Sequence, residues 1–304
     1  MLTTNNQPLY LRNLGSVFHN LAYVFTGNAF SGIISSISLI WFARVLGTKV
    51  MGDYAAIVVG IQLLTAIMVP GFNQAVIREP SRQEIAAAAI IATMLQSGIL
   101  LVVGSGIGLY MYYWQDSESL DSSLPILLLL LCLIISFWVY LLAAPFEASM
   151  NYQLLVKVRI VSSIGGIIAG LASAQAGQGI YALIIRDLVF SVISVVLLRI
   201  YSPLSFVLHG WRNGIGSLMA FTRGLWGLNA MEKVALRIDY AMVGFLIGKD
   251  DLGIYYTVRG LIEGLIGFVV SPIQTVVYSF YCRLQDVSKL VKHLLDKGIY
   301  MTLG

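Results

Sequence analysis

The chain alternates long apolar stretches with short polar ones, and this pattern predicts its secondary structure. About twenty consecutive apolar residues cross the hydrocarbon core of a bilayer as one helix. The pattern predicts eight such helices, at about 16–45, 52–77, 84–114, 123–148, 156–175, 179–199, 219–248 and 253–280. The last residues, Gly298–Gly304, are predicted to begin a ninth.

Composition supports the same interpretation. Apolar residues make up 58% of the 304 residues and charged residues 11%, whereas a soluble domain has roughly 45–50% apolar and about 25% charged residues. This number of charged residues is too small to cover the surface of a soluble protein. We therefore predict an all-α, polytopic transmembrane helix bundle. Basic residues are in slight excess, but no basic run with interleaved aromatic residues points to a nucleic-acid partner.

The residues that usually carry catalysis or bind metals are few and scattered. The two cysteines and three histidines have neither disulfide nor metal-ligand spacing. They are Cys132, Cys282, His19, His209 and His293. No Ser/His/Asp, paired-carboxylate or phosphate-loop arrangement appears, so we expect no enzymatic activity, no catalytic residue, no metal and no cofactor.

The basic residues are distributed unevenly between the two sets of predicted loops. Each loop takes the number of the predicted helix that precedes it. The N-terminus and the even-numbered loops hold eleven Lys and Arg residues, and the odd-numbered loops hold two, Lys49 and Lys249. Because cytoplasmic loops carry the excess of Lys and Arg, the N-terminus is predicted to be cytoplasmic.

The ends of the first and seventh predicted helices resemble each other. Leu46-Gly47 and Gly52-x-Tyr54 correspond to Ile247-Gly248 and Gly253-x-Tyr255 at a constant offset of 201, and Asn28-Ala29 corresponds to Asn229-Ala230 at the same offset. Chance similarity between two glycine turns is one explanation, and duplication is the other. Six helices separate the copies, so duplication implies a parallel repeat, as in transporters whose substrate binds between two halves.

Duplication predicts two lobes. Residues 1–200 would form a first lobe of six helices, residues 201–216 a cytoplasmic connection, and residues 217–304 a second lobe with two helices and the start of a third. We therefore expect a two-lobe transporter whose second lobe is truncated, with the chain a fragment or a C-terminally incomplete protein.

Two motifs carry a resemblance to a known family. The first follows the pattern A-R-x-L-G-x(4)-G-x-Y, with Ala43, Arg44, Leu46, Gly47, Gly52 and Tyr54. The second consists of Asp239, Gly244, Gly248, Gly253 and Tyr255. Together with Gln74–Glu79, they resemble the Wzx-type lipid-linked oligosaccharide flippases, the polysaccharide biosynthesis proteins of the superfamily that includes the multidrug and toxin extruders. The chain departs from that family at Ser279, where a proline is usual, and in its length, since the family has twelve or fourteen spans.

The resemblance implies a function and a location. A flippase of this type would move an undecaprenyl-diphosphate-linked oligosaccharide across the bacterial inner membrane, for O-antigen, capsule or exopolysaccharide synthesis. Its expected partners are the lipid-linked oligosaccharide, the bilayer, and polysaccharide polymerase and glycosyltransferases. Two alternatives stay open: a cation-coupled multidrug-type exporter, and a non-transporting membrane scaffold of a polysaccharide assembly complex.

The seventh predicted helix contains five ionisable residues, and charge inside a bilayer is costly and usually functional. On a helical wheel, Arg223, Lys233 and Arg237 form a basic stripe, while Glu232 and Asp239 lie on the far side. Lys233, Arg237 and Arg223 are therefore candidate contacts for an anionic substrate. The alternative is that these charges neutralise one another or neighbouring helices.

Other charged residues have two possible roles each. Arg44 is either a further substrate contact or an interfacial anchor. The acidic candidates for ion coupling are Glu232, Asp239, Glu147 and Glu263. Glu263 is also spaced to pair with Arg259 within one helix, and Arg186 lies beside Asp187. The first-lobe counterparts of the charged positions are small, namely Ser31, Gly32, Ser36 and Ser38.

Overall fold

A computed structural model describes the backbone of residues 9–68, 71–114, 120–202, 204 and 210–283. The regular structure in this part of the chain is α-helical throughout. The helices are α1 (Leu9–Met68), α2 (Phe72–Arg78), α3 (Gln83–Trp114), α4 (Leu120–Ala148), α5 (Tyr152–Gln175), α6 (Ile180–Tyr201), α7 (Trp211–Ala235), α8 (Ile238–Leu246) and α9 (Lys249–Arg283). The predicted ninth span at Gly298–Gly304 lies outside the described residues.

Five helical segments in the described residues are long and apolar enough to cross a membrane. The first, Ala22–Thr65, contains 44 residues, which is twice the length that one crossing requires. The others lie in α3, α4, α5 and α6. The predicted all-α polytopic bundle is therefore confirmed, and the protein is a multi-pass membrane protein.

The first two predicted spans are one run of helix that changes direction at Gly47. This glycine has φ 80° and ψ 166°, a conformation that is essentially accessible only to glycine. The first half of α1 therefore ends at Leu46, and the second half begins after the turn. The predicted second span, 52–77, is interrupted again: α1 ends at Met68 and α2 begins after Gly71, whose φ is 86°.

The predicted seventh span, 219–248, is two helices rather than one. α7 begins at Trp211, inside the predicted connection 201–216, and ends at Ala235. α8 begins at Ile238. Between them the N–H of Arg237 donates to the carbonyl of Val234 at 3.1 Å, a tightened turn rather than the α-helical i→i−4 pattern. A helical wheel drawn straight through this span therefore fails after Ala235.

Small residues let the helices approach closely, as is usual in lipid. A β-carbon added to Gly166 would lie 2.7 Å from the carbonyl oxygen of Arg186 on α6, and one added to Gly264 would lie 3.3 Å from the hydroxyl of Ser36 on α1. α5 thus packs tightly on α6, and α9 packs on the first half of α1. These contacts place the polar faces of α1, α5, α6 and α9 around a common space.

The two halves of the sequence repeat also contact each other. A β-carbon at Gly52 would clash with the carbonyl oxygen of Lys249, and one at Gly253 would clash with the carbonyl oxygen of Thr48. Lys249 is 201 residues after Thr48, and Gly253 is 201 residues after Gly52. The contact is therefore reciprocal, as expected when two copies of one motif pack about a two-fold axis. We call this part of the bundle the glycine-turn end.

Candidate functional site

The first of three adjoining cavities lies between the first half of α1, α5, α6 and α9, and we call it the serine cavity. Its volume is about 460 Å³. Helix α1 lines it with Asn28, Ser31, Ser35 and Ser38, whose spacing of three and four residues places them on one helical face. Ser31 and Ser163 of α5 hydrogen-bond through their hydroxyl groups at 3.2 Å. The small polar positions predicted for α1 thus line a cavity.

Arg159 of α5 supplies a positive charge to the serine cavity. Its Nη1 donates to Oδ1 of Asn28 at 2.8 Å. The ion pairs found among the described residues do not include Arg159, so its charge meets a neutral amide and the cavity itself. An arginine fork with free donor positions is suited to binding phosphate.

Arg186 and Asp187 of α6 lie on the same cavity wall and form the pair that their adjacency suggested. Nη2 of Arg186 lies 2.8 Å from Oδ1 of Asp187. The hydroxyl of Tyr54 donates to the other carboxylate oxygen of Asp187. Asp187 is therefore neutralised in place, and this cluster adds little net charge to the cavity.

The second cavity, of about 530 Å³, lies between the second half of α1, α2, α3, α4 and the end of α7. We call it the amide cavity because five carboxamide side chains line it: Gln62, Asn73, Gln74, Gln96 and Asn229. Asn229 is the repeat counterpart of Asn28, which lines the serine cavity. The two equivalent asparagines therefore line different cavities.

Lys233 and Arg237, the leading candidates for substrate contact, both line the amide cavity. The ion pairs of the described residues do not include Lys233. Nη1 of Arg237 lies 2.9 Å and 3.0 Å from the two carboxylate oxygens of Glu263. Lys233 thus offers a charge to the cavity, whereas the charge of Arg237 is already compensated. Their contact with a substrate stays a prediction.

Glu263 belongs to a network of charges joining α8 to α9. Besides Arg237, it binds the hydroxyl of Tyr240 at 3.2 Å and Nε of Arg259 at 3.4 Å. The pair within α9 that the spacing suggested is therefore present. Nη2 of Arg259 lies 3.5 Å from Asp239. Asp239 and Arg237 are consequently members of one network, although the wheel placed them on opposite faces.

Glu263 also lines the serine cavity, while its partner Arg237 lines the amide cavity. The Arg237–Glu263 pair therefore stands between the two spaces. A third cavity of about 360 Å³ adjoins both and is lined by Glu147 together with Asn28 and Arg159. Glu147 thus lines an internal cavity, and a role in ion coupling stays a prediction.

The other candidates lie away from these spaces. Arg44, Arg223 and Glu232 are exposed and line none of the three cavities. Asp239 also lines none of them, and its carboxylate accepts a hydrogen bond from the hydroxyl of Tyr255 at 2.7 Å. An interfacial role for Arg44 and Arg223 fits their exposure, since long basic side chains extend to the membrane surface.

The sequence interpretation missed Arg159: it counted this residue among the loop cations, although the fifth predicted span, 156–175, contains it. Helix α5 begins at Tyr152, which places Arg159 in its third turn. A signal was available: Arg159, Ser163 and Gly166 follow helical spacing on one face, as do Asn28, Ser31 and Ser35. Among the described residues, no group of three or more His, Cys, Asp or Glu side chains is placed to hold a metal ion.

The model of a protein family described as polysaccharide biosynthesis protein matches residues 41–303. The chain belongs to this family. Membership agrees with the resemblance to Wzx-type proteins drawn from the glycine motifs, and it ties this multi-pass membrane protein to polysaccharide biosynthesis.

A comparison with solved structures supports the fold. One solved structure, described only as "protein A", matches 97% of this chain and 70% of its own length, with a TM-score of 0.70 and 14% sequence identity. At this identity the likeness concerns the fold alone. No curated protein matches the chain.

Proposed function

We propose that this protein flips a lipid-linked oligosaccharide across the inner membrane of a bacterium during polysaccharide biosynthesis. The proposal is supported by its family and by one observation above all: polar cavities inside a membrane bundle carry cations, Arg159 and Lys233, without carboxylate partners in the described residues. A charge inside a bilayer is costly unless it serves a partner or a water-filled path. A lipid diphosphate is an anionic partner of the right chemistry.

In this proposal the lipid tail stays in the bilayer while the diphosphate and glycan pass through the cavities. The two cations offset the loss of hydration of the diphosphate, and hydrogen-bonding side chains replace the water around the sugars. Movement of two helical lobes, 1–200 and 217 onwards, would expose the cavities to each side in turn. Glycosyltransferases would act before this step, and the polymerase would act after it.

The test uses the full-length gene in the bacterium from which it comes. We expect deletion to abolish the surface polysaccharide and to leave lipid-linked repeat units at the cytoplasmic face. Arg159→Gln and Lys233→Gln should each lower surface glycan at least tenfold with normal protein levels. Their matched control is Lys157→Gln, because Lys157 lies on the same helix as Arg159 and is exposed as Arg159 is, but lines none of the three cavities.

Two outcomes would contradict flipping. Normal surface glycan in the deletion strain, with loss of resistance to organic cations, would favour the exporter. Full complementation by a variant in which both Arg159 and Lys233 are replaced would show that the cavity charges serve no anionic substrate.

A further inference from the structure

We propose that the amide cavity is the saccharide subsite of this protein, and that it binds neutral sugar residues by their hydroxyl groups. The proposal deepens the proposed function and rests on it, since it states which part of the substrate each cavity takes. It follows from a difference between the two larger cavities in the chemistry of their walls.

The amide cavity is lined by neutral groups that both donate and accept hydrogen bonds. A carboxamide has two donor hydrogens and a carbonyl acceptor, so it can bind a sugar hydroxyl in both of the hydroxyl's roles. Four separate helices contribute the five carboxamides: Gln62 from α1, Asn73 and Gln74 from α2, Gln96 from α3 and Asn229 from α7. A polar side chain inside a membrane bundle is costly unless it meets a polar partner, so the convergence of five carboxamides on one space suits a polar ligand there.

Apolar and charged residues complete the match to a glycosylated diphosphate. Phe72 and Phe137 line the same cavity, and aromatic rings are groups on which the C–H faces of sugars can pack. The cations Lys233 and Arg237 lie together near the end of α7, where Arg237 is held by Glu263. The cavity thus presents neutral hydrogen-bonding groups beside a single uncompensated cation among its described residues, which suits a sugar chain attached to a phosphate.

The serine cavity lacks this character. Apart from Asn28, the polar groups of its α1 and α5 faces are hydroxyl groups and Arg159, beside glycines, Leu39 and Ile167, and charged residues of α6 and α9 complete the wall. The serine cavity has one carboxamide where the amide cavity has five, so it suits the diphosphate and its immediate linkage better than a sugar chain. The two cavities therefore divide the substrate by chemistry, with the glycan on the amide side.

The experiment compares two lipids on purified full-length protein. The probes are undecaprenyl diphosphate and the same lipid carrying the host's repeat-unit oligosaccharide, and the measurement is the Kd of each in nanodiscs. The variants are Gln62→Met and Asn229→Leu, singly and together, which keep side-chain size and remove the amide. The matched control is Gln153→Met, because Gln153 is exposed on α5 and lines none of the three cavities.

We expect the wild type and the Gln153→Met control to prefer the glycosylated lipid. Each cavity variant should weaken binding of the glycosylated lipid about tenfold, which is the loss of one or two hydrogen bonds, and should bind undecaprenyl diphosphate as the wild type does. Thermal unfolding of each variant checks that it is folded.

Other outcomes overturn the subsite. Equal weakening toward both lipids would assign Gln62 and Asn229 to structure, and unchanged binding of both would remove them from the site. A wild type that binds both lipids equally would show that the amide cavity contacts no sugar, while flipping itself would still be judged by the surface glycan of the deletion strain.

Discussion

Glu263 is the carboxylate that joins two arginines, Arg237 and Arg259, in one network between α8 and α9. It accepts hydrogen bonds from Arg237 and Tyr240 and pairs with Arg259. Arg237 has one carboxylate partner among the described residues. The two members of this ion pair are therefore not equivalent: loss of Glu263 leaves Arg237 without a partner, whereas loss of Arg237 leaves Glu263 paired with Arg259.

This asymmetry predicts the order of stability of two variants. We expect Glu263→Gln to lower the free energy of unfolding by about 1–2 kcal/mol, below the 3–5 kcal/mol typical of a fully buried pair, because the side chains are 23% and 30% exposed and solvent screens them. Arg237→Gln should cost less than about 1 kcal/mol. Thermal unfolding of the detergent-purified protein measures both, with exposed Arg44→Gln as control. A larger effect for Arg237→Gln would contradict the network.

At the scale of single elements, the break between α7 and α8 shows what the sequence does not reveal. No glycine or proline lies at residues 234–239, and hydrophobic periodicity continues across them. Arg237 at the break is held by Glu263, 26 residues further along the chain. A partner so distant in the sequence cannot be recognised from the local pattern. The wheel assumed one unbroken helix and therefore placed Asp239 and Arg237 on separate faces, although one network includes both.

Other elements were predictable because their cause is local. Long apolar stretches fix the helices α3 to α6, and the repeated glycines fix the turns. Gly47 and Gly248, aligned by the offset of 201, have φ values of 80° and 135°, so the repeat identified two equivalent turns. Arg159 was misassigned because it lies close to a predicted helix start, where sequence boundaries are uncertain by one or two residues, and it was therefore counted with the loop cations.

The turn at Gly47 gives a test within one element. Gly47→Ala should destabilise the protein by about 1–3 kcal/mol, because alanine is strained at this φ and ψ. Gly60→Ala, in the second half of α1, should stabilise it by about 0.5–1 kcal/mol, because Gly60 is helical and a β-carbon there would meet no atom within 4 Å. Thermal unfolding of both variants measures the two signs, and a shift in the same direction would contradict the assigned turn.

At the scale of the whole molecule, an aromatic cluster joins the two charged networks. Tyr256 of α9 contacts Tyr54 with ring centroids 5.9 Å apart and Tyr240 with centroids 6.0 Å apart. Tyr54 binds Asp187, and Tyr240 binds Glu263. Separation of the first half of the chain from α8 and α9 would therefore break the aromatic contact together with the packing at the glycine-turn end.

The glycine-turn end closes the bundle because backbone touches backbone there. Gly52 packs on the carbonyl of Lys249 and Gly253 on that of Thr48, so any side chain at either glycine must push the second half of α1 away from α9. Ser38 is buried in the wall of the serine cavity, nine residues before Gly47, or about 13 Å along the helix. It is a suitable reporter of opening at this end.

The reporter is Ser38→Cys in a full-length protein whose Cys132 and Cys282 are replaced by serine, and the measurement is the rate at which Ser38→Cys reacts with a charged maleimide. We expect Gly52→Val to raise this rate severalfold. Gly253→Val should have the same effect, and the double variant should add little, because both act on one contact. Gly98→Val is the control, since a β-carbon at Gly98 would meet no atom within 4 Å. A rate unchanged by Gly52→Val, with the protein folded, would mean that this packing does not govern access to the cavity. Fully additive effects would mean that the two glycines act at separate contacts and that the reciprocal packing is not a single closure.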